Sequence, residues 1–230
     1  MRVLSFDTST EWLTVAAGDG SSWTAHQERA GSANSERILP VVDAVLAEAG
    51  WRLADLDGIA FGAGPGAFTG VRIACSVAQG LALGAGVAVV PVPTLLAVAQ
   101  QAWNEHAAMR VLACLDARMR EVYVALYVRG GDEWRTESEP AVMKPAELRV
   151  PAGGLWDGAG DGFGAYPELG AHTGVARVFA DTLPTARAIG ELALAALTSG
   201  QGVAPSEALP LYVRHRIALT TSERNAGMRL

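Results

Sequence analysis

Two aspartates, each at the end of an apolar run, are the residues of this sequence whose type and position best suit chemistry. Asp7 ends RVLSFD and Asp116 ends VLACLD. In a nuclease of the RNase H type, several carboxylates converge on two metal ions, and Asp7 stands where the first of them would be, at the end of the first strand. No further acids of that set can be identified. The alternative, that Asp7 and Asp116 only shape turns, therefore stays open.

The stretch GPGAFTGVR, residues 64–72, has the composition of a loop that leads into a helix. With Thr69 as the N-cap, free N–H groups at 70–72 could bind an anion, and Arg72 would add positive charge. Alternatively, the glycines allow a sharp turn and a close approach of helix and strand. The motif residues singled out here are Gly64, Pro65, Gly66, Phe68, Thr69, Gly70 and Arg72.

Several catalytic motifs are missing from the sequence. A P-loop needs Gly-Lys-Ser/Thr, but Lys144, the only lysine, stands between Met and Pro. There is no GxSxG nucleophile elbow. The histidines form no HExxH or HxxxH pair, so no zinc site of that kind is expected. They are His26, His106, His172 and His215. We therefore predict no catalytic residue, no metal site and no cofactor.

Composition narrows the class of protein further. The 230 residues carry a net charge of −6, and half of them are hydrophobic. An acidic chain is a poor autonomous binder of nucleic acid. Cys75 and Cys114 lie in apolar contexts and are predicted to be buried, reduced thiols. Glycines and prolines break the longest apolar run, 81–99, and Asp7 interrupts any signal-peptide core. These features favour a cytoplasmic protein without a membrane span.

Hydrophobic patterning predicts an α/β chain that contains an internal repeat. VLSFDTSTEWLTVAA (3–17) resembles VLACLDARMREVYVALYV (111–128), since each is an apolar strand, an Asp, a polar turn and a second strand. We therefore predict an N-terminal domain over 1–106 and a smaller C-terminal domain over 107–230. Strands are predicted at 2–7, 12–17, 22–28, 58–62 and 87–92, and helices at 36–49 (capped by Ser35), 70–84, 94–103 and 185–198.

Two of these helices carry more apolar residues than one buried face requires. In the helix at 70–84, the polar residues Arg72, Ser76 and Gln79 fall on a single narrow stripe. The helix at 36–49 is similarly apolar. An apolar helix face left over after packing on a sheet indicates a surface for a partner. The alternative is that the second half of the chain covers it.

The sequence closely resembles the TsaB (YeaZ) family along nearly its whole length. GPGxFTGxR is the most specific of the shared motifs. The matching stretches are RVLSFDTSTE, SERILPVVDAVLAEAG, FGAGPGAFTGVRIACSVAQGLALG, VPTLLAVAQQAW, LDARMREVYVALY and PLYVR. The resemblance implies the ASKHA fold of actin, Hsp70 and sugar kinases, with two RNase H-like lobes of which the second is reduced.

The resemblance also implies that the nucleotide site of the ASKHA fold is degenerate in this chain. ASKHA nucleotide binders hold phosphates with a DxGT turn, and here Ser9 stands where that glycine is expected. The degenerate site would comprise Asp7, Thr8, Thr10 and Asp116. The catalytic paralogue TsaD carries a pair of metal-binding histidines near the first helix, where this chain has SANSERILP with Asn34.

The family's role is that of a non-catalytic subunit in the synthesis of N6-threonylcarbamoyladenosine in tRNA. It binds TsaD through its two N-terminal helices, helps to recruit the ATPase TsaE and can self-associate through the same surface. ATP or ADP would act at the partner subunits, and contact with tRNA would be indirect. The predicted interface is Leu39, Val42, Val45, Leu46, Val71, Ile73, Cys75 and Ala78. The less favoured alternatives are a glycoprotease-type peptidase and an ASKHA ATPase.

Overall fold

The computed structural model describes residues 1–213 and shows two lobes, each built on a five-stranded sheet. Arg214, the last residue of PLYVR, and His215 lie outside this range. The first lobe contains β1 (Val3–Asp7), β2 (Trp12–Gly18), β3 (Trp23–Arg29), α1 (Asn34–Ala49), β4 (Gly58–Gly64), α2 (Phe68–Ala85), β5 (Ala88–Pro93) and α3 (Thr94–His106). Then follow β6 (Arg110–Asp116), β7 (Val122–Gly130), β8 (Glu133–Met143), β9 (Asp157–Ala159), α4 (Gly162–Ala165), α5 (Leu169–Thr173), β10 (Arg177–Phe179) and α6 (Ala186–Thr198).

The two sheets have the same topology, so the predicted repeat is confirmed. The strand orders are β3-β2-β1-β4-β5 and β8-β7-β6-β9-β10. In both, the first strand pairs antiparallel with the second and parallel with the fourth. The fourth and fifth strands pair parallel in both sheets. The α/β class, with two related lobes, is thus what the repeated hairpin pattern predicted.

Helices cover both faces of the first sheet. On one face, Ile38 and Val42 of α1 and Ala78 of α2 pack against Phe6 and Phe61 of the sheet. On the opposite face lie α6 and part of α3. The second sheet shares α3 on one face, whereas its other face is covered by short segments that include α4 and α5. The second lobe therefore keeps the number of strands but has shorter helices and shorter fourth and fifth strands.

The last helix of the described range, α6, returns to the first lobe. The Ser5 hydroxyl of β1 donates a hydrogen bond of 2.7 Å to the carbonyl of Ala186 at the start of α6. A side chain at Gly190 of α6 would clash with Trp23 of β3. The chain thus crosses from the second sheet back to the first. The division of the chain at residue 106 remains a prediction. By its packing, α6 belongs with the first lobe, residues 1–106, although it follows the second sheet in the sequence.

A buried glutamine joins the two lobes. Gln100 of α3 donates through Nε2 to Glu191 of α6 and to Asn104, both at 3.0 Å. Its Oε1 accepts from Trp134 Nε1 of β8 at 2.7 Å and from Arg129 of β7 at 3.2 Å. All four hydrogen-bonding positions of the amide are therefore used, and they connect the helices behind the first sheet to the strands of the second.

Three local predictions need correction. Helix α2 begins at Phe68 with Ala67 as its N-cap, so Thr69 lies inside the first turn and does not cap the helix. Helix α1 begins at Asn34 rather than after Ser35. Strand β8 was missed, because its outward-facing charged residues and Pro140 resemble a loop.

Helix α2 is the one helix in the described range with the length and composition of a membrane span. One side of it packs in the core of the first lobe, through Ala74, Ala78 and Ala82. The core helix of a globular domain meets the same criteria, so the match is weak evidence for a membrane.

Candidate functional site

The GPGAFTGVR loop packs backbone to backbone against the turn that follows β1. The Thr8 hydroxyl donates to the carbonyl of Gly70 at 2.7 Å, and the Ala67 N–H donates to the carbonyl of Ser9 at 2.7 Å. A Cβ atom on Gly70 would clash with the Thr8 carbonyl, and one on Gly66 with Ser9. These two glycines are required because the backbones touch. The geometry therefore favours the structural interpretation of the motif over an anion cradle.

Asp7 is buried and holds this turn. Its Oδ1 accepts hydrogen bonds from the N–H of Ser9 at 2.9 Å and from the Ser9 hydroxyl at 2.8 Å. Its Oδ2 lies over Gly62 and has no hydrogen-bond partner in the described structure. Burial raises the pKa of Asp7 to about 6, although the bonds from Ser9 oppose that shift. Ser9, in the place of the expected glycine, thus engages Asp7 within the turn itself.

A cleft of about 600 Å³ separates the two lobes at this point. Thr8, Thr10 and Asp116 line it, so the structure brings together three of the four residues of the predicted degenerate nucleotide site. Asp7, the fourth, lies behind the turn and outside the lining. Further lining residues are Glu11, Asn34, Phe68, Tyr123, Asp161 and Tyr212.

The second lobe contributes two linked aspartates to the cleft. Asp116 Oδ1 accepts from the N–H of Arg118 at 2.9 Å, and Asp161 Oδ1 accepts from the N–H of Asp116 at 2.9 Å. Burial is the main cause that raises the pKa of Asp161. Sequence reasoning missed Asp161 as a partner of Asp116. The signal for it was the glycine-rich stretch GAGDGFG, residues 158–164, where Gly160 and Gly162 pack directly on Cys114 of β6.

Two further expectations can be placed in the structure. Asn34, in the SANSERILP segment, is buried at the start of α1. Its Oδ1 has no partner among residues 1–213. Cys75 and Cys114 are buried free thiols, as predicted.

Most of the predicted partner-interface residues point toward the core of the first lobe and not toward solvent. Within the chain they fill the core between the helices and the first sheet, and so cannot form a free surface. These residues are Val42, Val45, Leu46, Cys75 and Ala78, and Val71 is buried as well. Of the predicted set, Leu39 is 48% exposed and Ile73 is half-buried. The error arose because the most apolar positions of an amphipathic helix are those that pack on its own sheet.

Part of the surface that α1 and α2 turn to solvent is nevertheless apolar or small, although α1 also exposes charged residues such as Asp43 and Glu48. We call this surface the outer face. It comprises Leu39, Pro40, Ala44 and Ala47 of α1 with Ile73, Ser76, Gly80, Leu83 and Gly84 of α2. Leu83 is 76% exposed, and nothing lies within 4 Å of the positions that Cβ atoms would take on Gly80 and Gly84. Exposed apolar surface of this kind is typical of a protein–protein interface.

Comparison with known proteins agrees with this architecture. The family model described as "TsaD: tRNA N6-adenosine threonylcarbamoyltransferase" matches residues 25–161. The Escherichia coli protein named tRNA threonylcarbamoyladenosine biosynthesis protein TsaB is 41% identical over 223 residues, which is 95% of this chain and 96% of that protein. The Haemophilus influenzae protein of the same name is 36% identical over 94% of this chain and 95% of its own length.

A solved structure gives the same result. YeaZ from Pseudomonas aeruginosa superposes with a TM-score of 0.86 at 41% identity, covering 92% of this chain and 99% of that one. Fold and site thus define a two-lobed protein with a domain of the TsaD type. Within that class, the chain belongs to the TsaB (YeaZ) family.

Proposed function

We propose that this chain is the non-catalytic subunit that binds and supports a TsaD-type catalytic subunit in the synthesis of N6-threonylcarbamoyladenosine in tRNA. Membership of the TsaB family carries the assignment to that pathway. The observation that supports a scaffold role is the outer face of α1 and α2, an apolar surface left exposed after both helices have packed on their own sheet.

The state of the acidic residues also favours a scaffold. A carboxylate that binds a metal ion or activates water must offer its lone pairs to the ligand. Asp7 is buried behind the turn and engaged by Ser9, so it offers no lone pair to a ligand in the cleft. No set of three or more His, Cys, Asp or Glu side chains within residues 1–213 is arranged to hold a metal ion.

Partner roles follow from the same proposal. The TsaD-type subunit docks on the outer face, and the assembled pair helps to recruit a TsaE-type ATPase, so that ATP and ADP act at partner subunits. In the absence of the partner, a second copy of the chain can cover the same apolar surface. Contact with tRNA is made through the complex, in the cytoplasm.

Calorimetric titration with the purified TsaD-type subunit tests the docking surface. The double variant Leu39→Glu, Gly80→Glu places two carboxylates on the outer face, and the Gly80 position has no neighbour to clash with. We expect binding to weaken at least a hundredfold. Leu155→Glu, at an 81% exposed position in the second lobe, is the matched control and should bind normally. Equal binding by both variants would remove the outer face as the docking surface.

The alternative function is that of an ASKHA-type ATPase. It is supported by the cleft, because Thr8, Thr10 and Asp116 line it. Titration of the isolated chain with ATP and magnesium separates the two functions. The scaffold proposal expects no tight binding. A micromolar dissociation constant, lost in Asp116→Asn, would instead favour the nucleotide function.

A further inference from the structure

We infer that Arg72 and the two aromatic rings around it form an anchor for a carboxylate-bearing segment of the partner protein. This inference rests on the function proposed above. It concerns Phe68 and Arg72 of α2 and Tyr212, which lies in the segment that follows α6. We call these three residues the Arg72 anchor.

The guanidinium of Arg72 lies close to two exposed rings. Its Cζ lies 3.3 Å from the centroid of the Phe68 ring and 4.9 Å from that of Tyr212. Phe68 is 52% exposed and Tyr212 47% exposed. Stacking of this kind fixes the plane of a guanidinium and covers its faces, while the N–H groups along its edge remain available.

Within residues 1–213, Arg72 has no carboxylate partner, unlike several other exposed arginines of this range. Arg37, Arg52 and Arg187 each pair with an acid of the chain at 2.8–2.9 Å. Arg72 forms no ion pair in the described range, and its Nη1 donates a hydrogen bond to the carbonyl of Phe68 at 3.1 Å. An oriented guanidinium with free N–H groups is suited to bidentate binding of a carboxylate.

The position of the anchor connects it to the outer face. Arg72 directly precedes Ile73 on α2, and Ser76 lies one turn further along the same side of the helix. A partner that covers the outer face therefore meets Arg72 near the N-terminal end of α2. Arginine and aromatic side chains dominate the binding energy of many interfaces, which fits an anchor at the end of an otherwise small and apolar surface.

Charge decides between a protein segment and RNA. A phosphate backbone needs several cations along its path, whereas one carboxylate needs one guanidinium. The cleft that Phe68 and Tyr212 also line carries Glu11, Asp116 and Asp161, and the chain as a whole has a net charge of −6. These negative charges disfavour the binding of a polyanion such as RNA, whereas a single acidic side chain can still bind.

The test measures affinity for the purified TsaD-type subunit at 50 and 300 mM NaCl. Arg72→Met keeps the aliphatic stem and removes the charge, so we expect at least tenfold weaker binding at low salt and little remaining salt dependence. Arg72→Lys keeps the charge without the bidentate geometry, so its affinity for the subunit should lie between those of the wild type and Arg72→Met. Arg187→Met, on α6 behind the sheet, is the matched control and should bind like the wild type.

Each other outcome overturns the inference in a distinguishable way. If the wild type binds the subunit and Arg72→Met binds equally well with the same salt dependence, the anchor is wrong and the proposed function stands. If Arg72→Met reduces binding of unmodified tRNA by the chain and leaves subunit binding unchanged, the anchor belongs to RNA. If the wild type does not bind the subunit, the proposed function fails as well. Thermal unfolding of each variant shows whether a loss of binding reflects a loss of fold.

Discussion

The two lobes share a strand order and a turn, yet only the first keeps long helices. In both, the aspartate that ends the first strand accepts the N–H of the residue two positions later, at 2.9 Å, as Asp7 does from Ser9 and Asp116 from Arg118. The segments that join the third, fourth and fifth strands differ. In the first lobe they hold α1 and α2, of 16 and 18 residues, whereas in the second they hold α4 and α5, of 4 and 5 residues.

This difference shows how little is needed to cover one face of such a sheet. In the second lobe, Leu148, Trp156, Phe163 and Leu169 from short segments bury it. The long helices of the first lobe bury the equivalent face with one side only, and their other side forms the outer face. Their extra surface is therefore unexplained by folding alone, and the docking of a partner proposed above would account for it.

The largest expected effect comes from the backbone contact in the first lobe. Gly70→Ala places a Cβ atom against the carbonyl of Thr8, which is backbone and cannot move aside. We expect a loss of about 3 kcal/mol or more in the free energy of unfolding, measured with urea. Gly162→Ala, which meets Cys114 of β6 in the second lobe, should also destabilise. A neutral result for Gly70→Ala would contradict the described packing.

The buried carboxyl of the first turn should make stability depend on pH. The pKa of Asp7 is about 6 in the folded chain and 3.8 as its ordinary value. Between these two pKa values, Asp7 is deprotonated in the unfolded chain but still protonated in the folded chain. The free energy of unfolding therefore falls as pH rises from about 4 to 6, and then levels off. The total change is about 3 kcal/mol. Asp7→Asn should remove it, and Asp116→Asn, the counterpart in the second lobe, should retain it in urea titrations at several pH values.

Removal of Gln100, the buried glutamine that joins the lobes, should have an intermediate effect on stability. Gln100→Leu leaves Trp134, Arg129, Asn104 and Glu191 without a shared amide, and we expect a loss of about 2 kcal/mol in the free energy of unfolding. The exposed Gln201→Leu should change stability by less than about 0.5 kcal/mol. If both variants unfold alike in calorimetry, the lobes do not depend on this glutamine.

The smallest expected effect has the opposite sign. Gly80 lies in α2 with open space beside it, so Gly80→Ala gains helix propensity without a clash. The isolated chain should become about 0.5–1 kcal/mol more stable, as measured by thermal unfolding. A destabilised variant would mean that this part of the outer face is already packed within the chain.

The strands of the first lobe, the repeated hairpin and the long helices could be predicted from the sequence, because alternation and helical periodicity are local signals. It failed where distant residues decide the outcome. The direction of Val42 and Ala78 depends on the sheet that they meet, and the pairing of Asp116 with Asp161 depends on a contact 45 residues away. Strand β8 was missed because an edge strand exposes charged residues as a loop does. The return of α6 to the first lobe left no local signal.

We propose that the chain acts through its outer face, by binding a partner, and not through a catalytic group of its own. Threonylcarbamoyl transfer to a tRNA transcript, reconstituted with the TsaD-type and TsaE-type subunits, tests it most directly. The cleft variant Asp116→Asn, Asp161→Asn should support modification at the wild-type rate, and the outer-face variant Leu39→Glu, Gly80→Glu at less than a tenth of it. A cleft variant that binds the partner normally but abolishes modification, beside an active outer-face variant, would contradict the account.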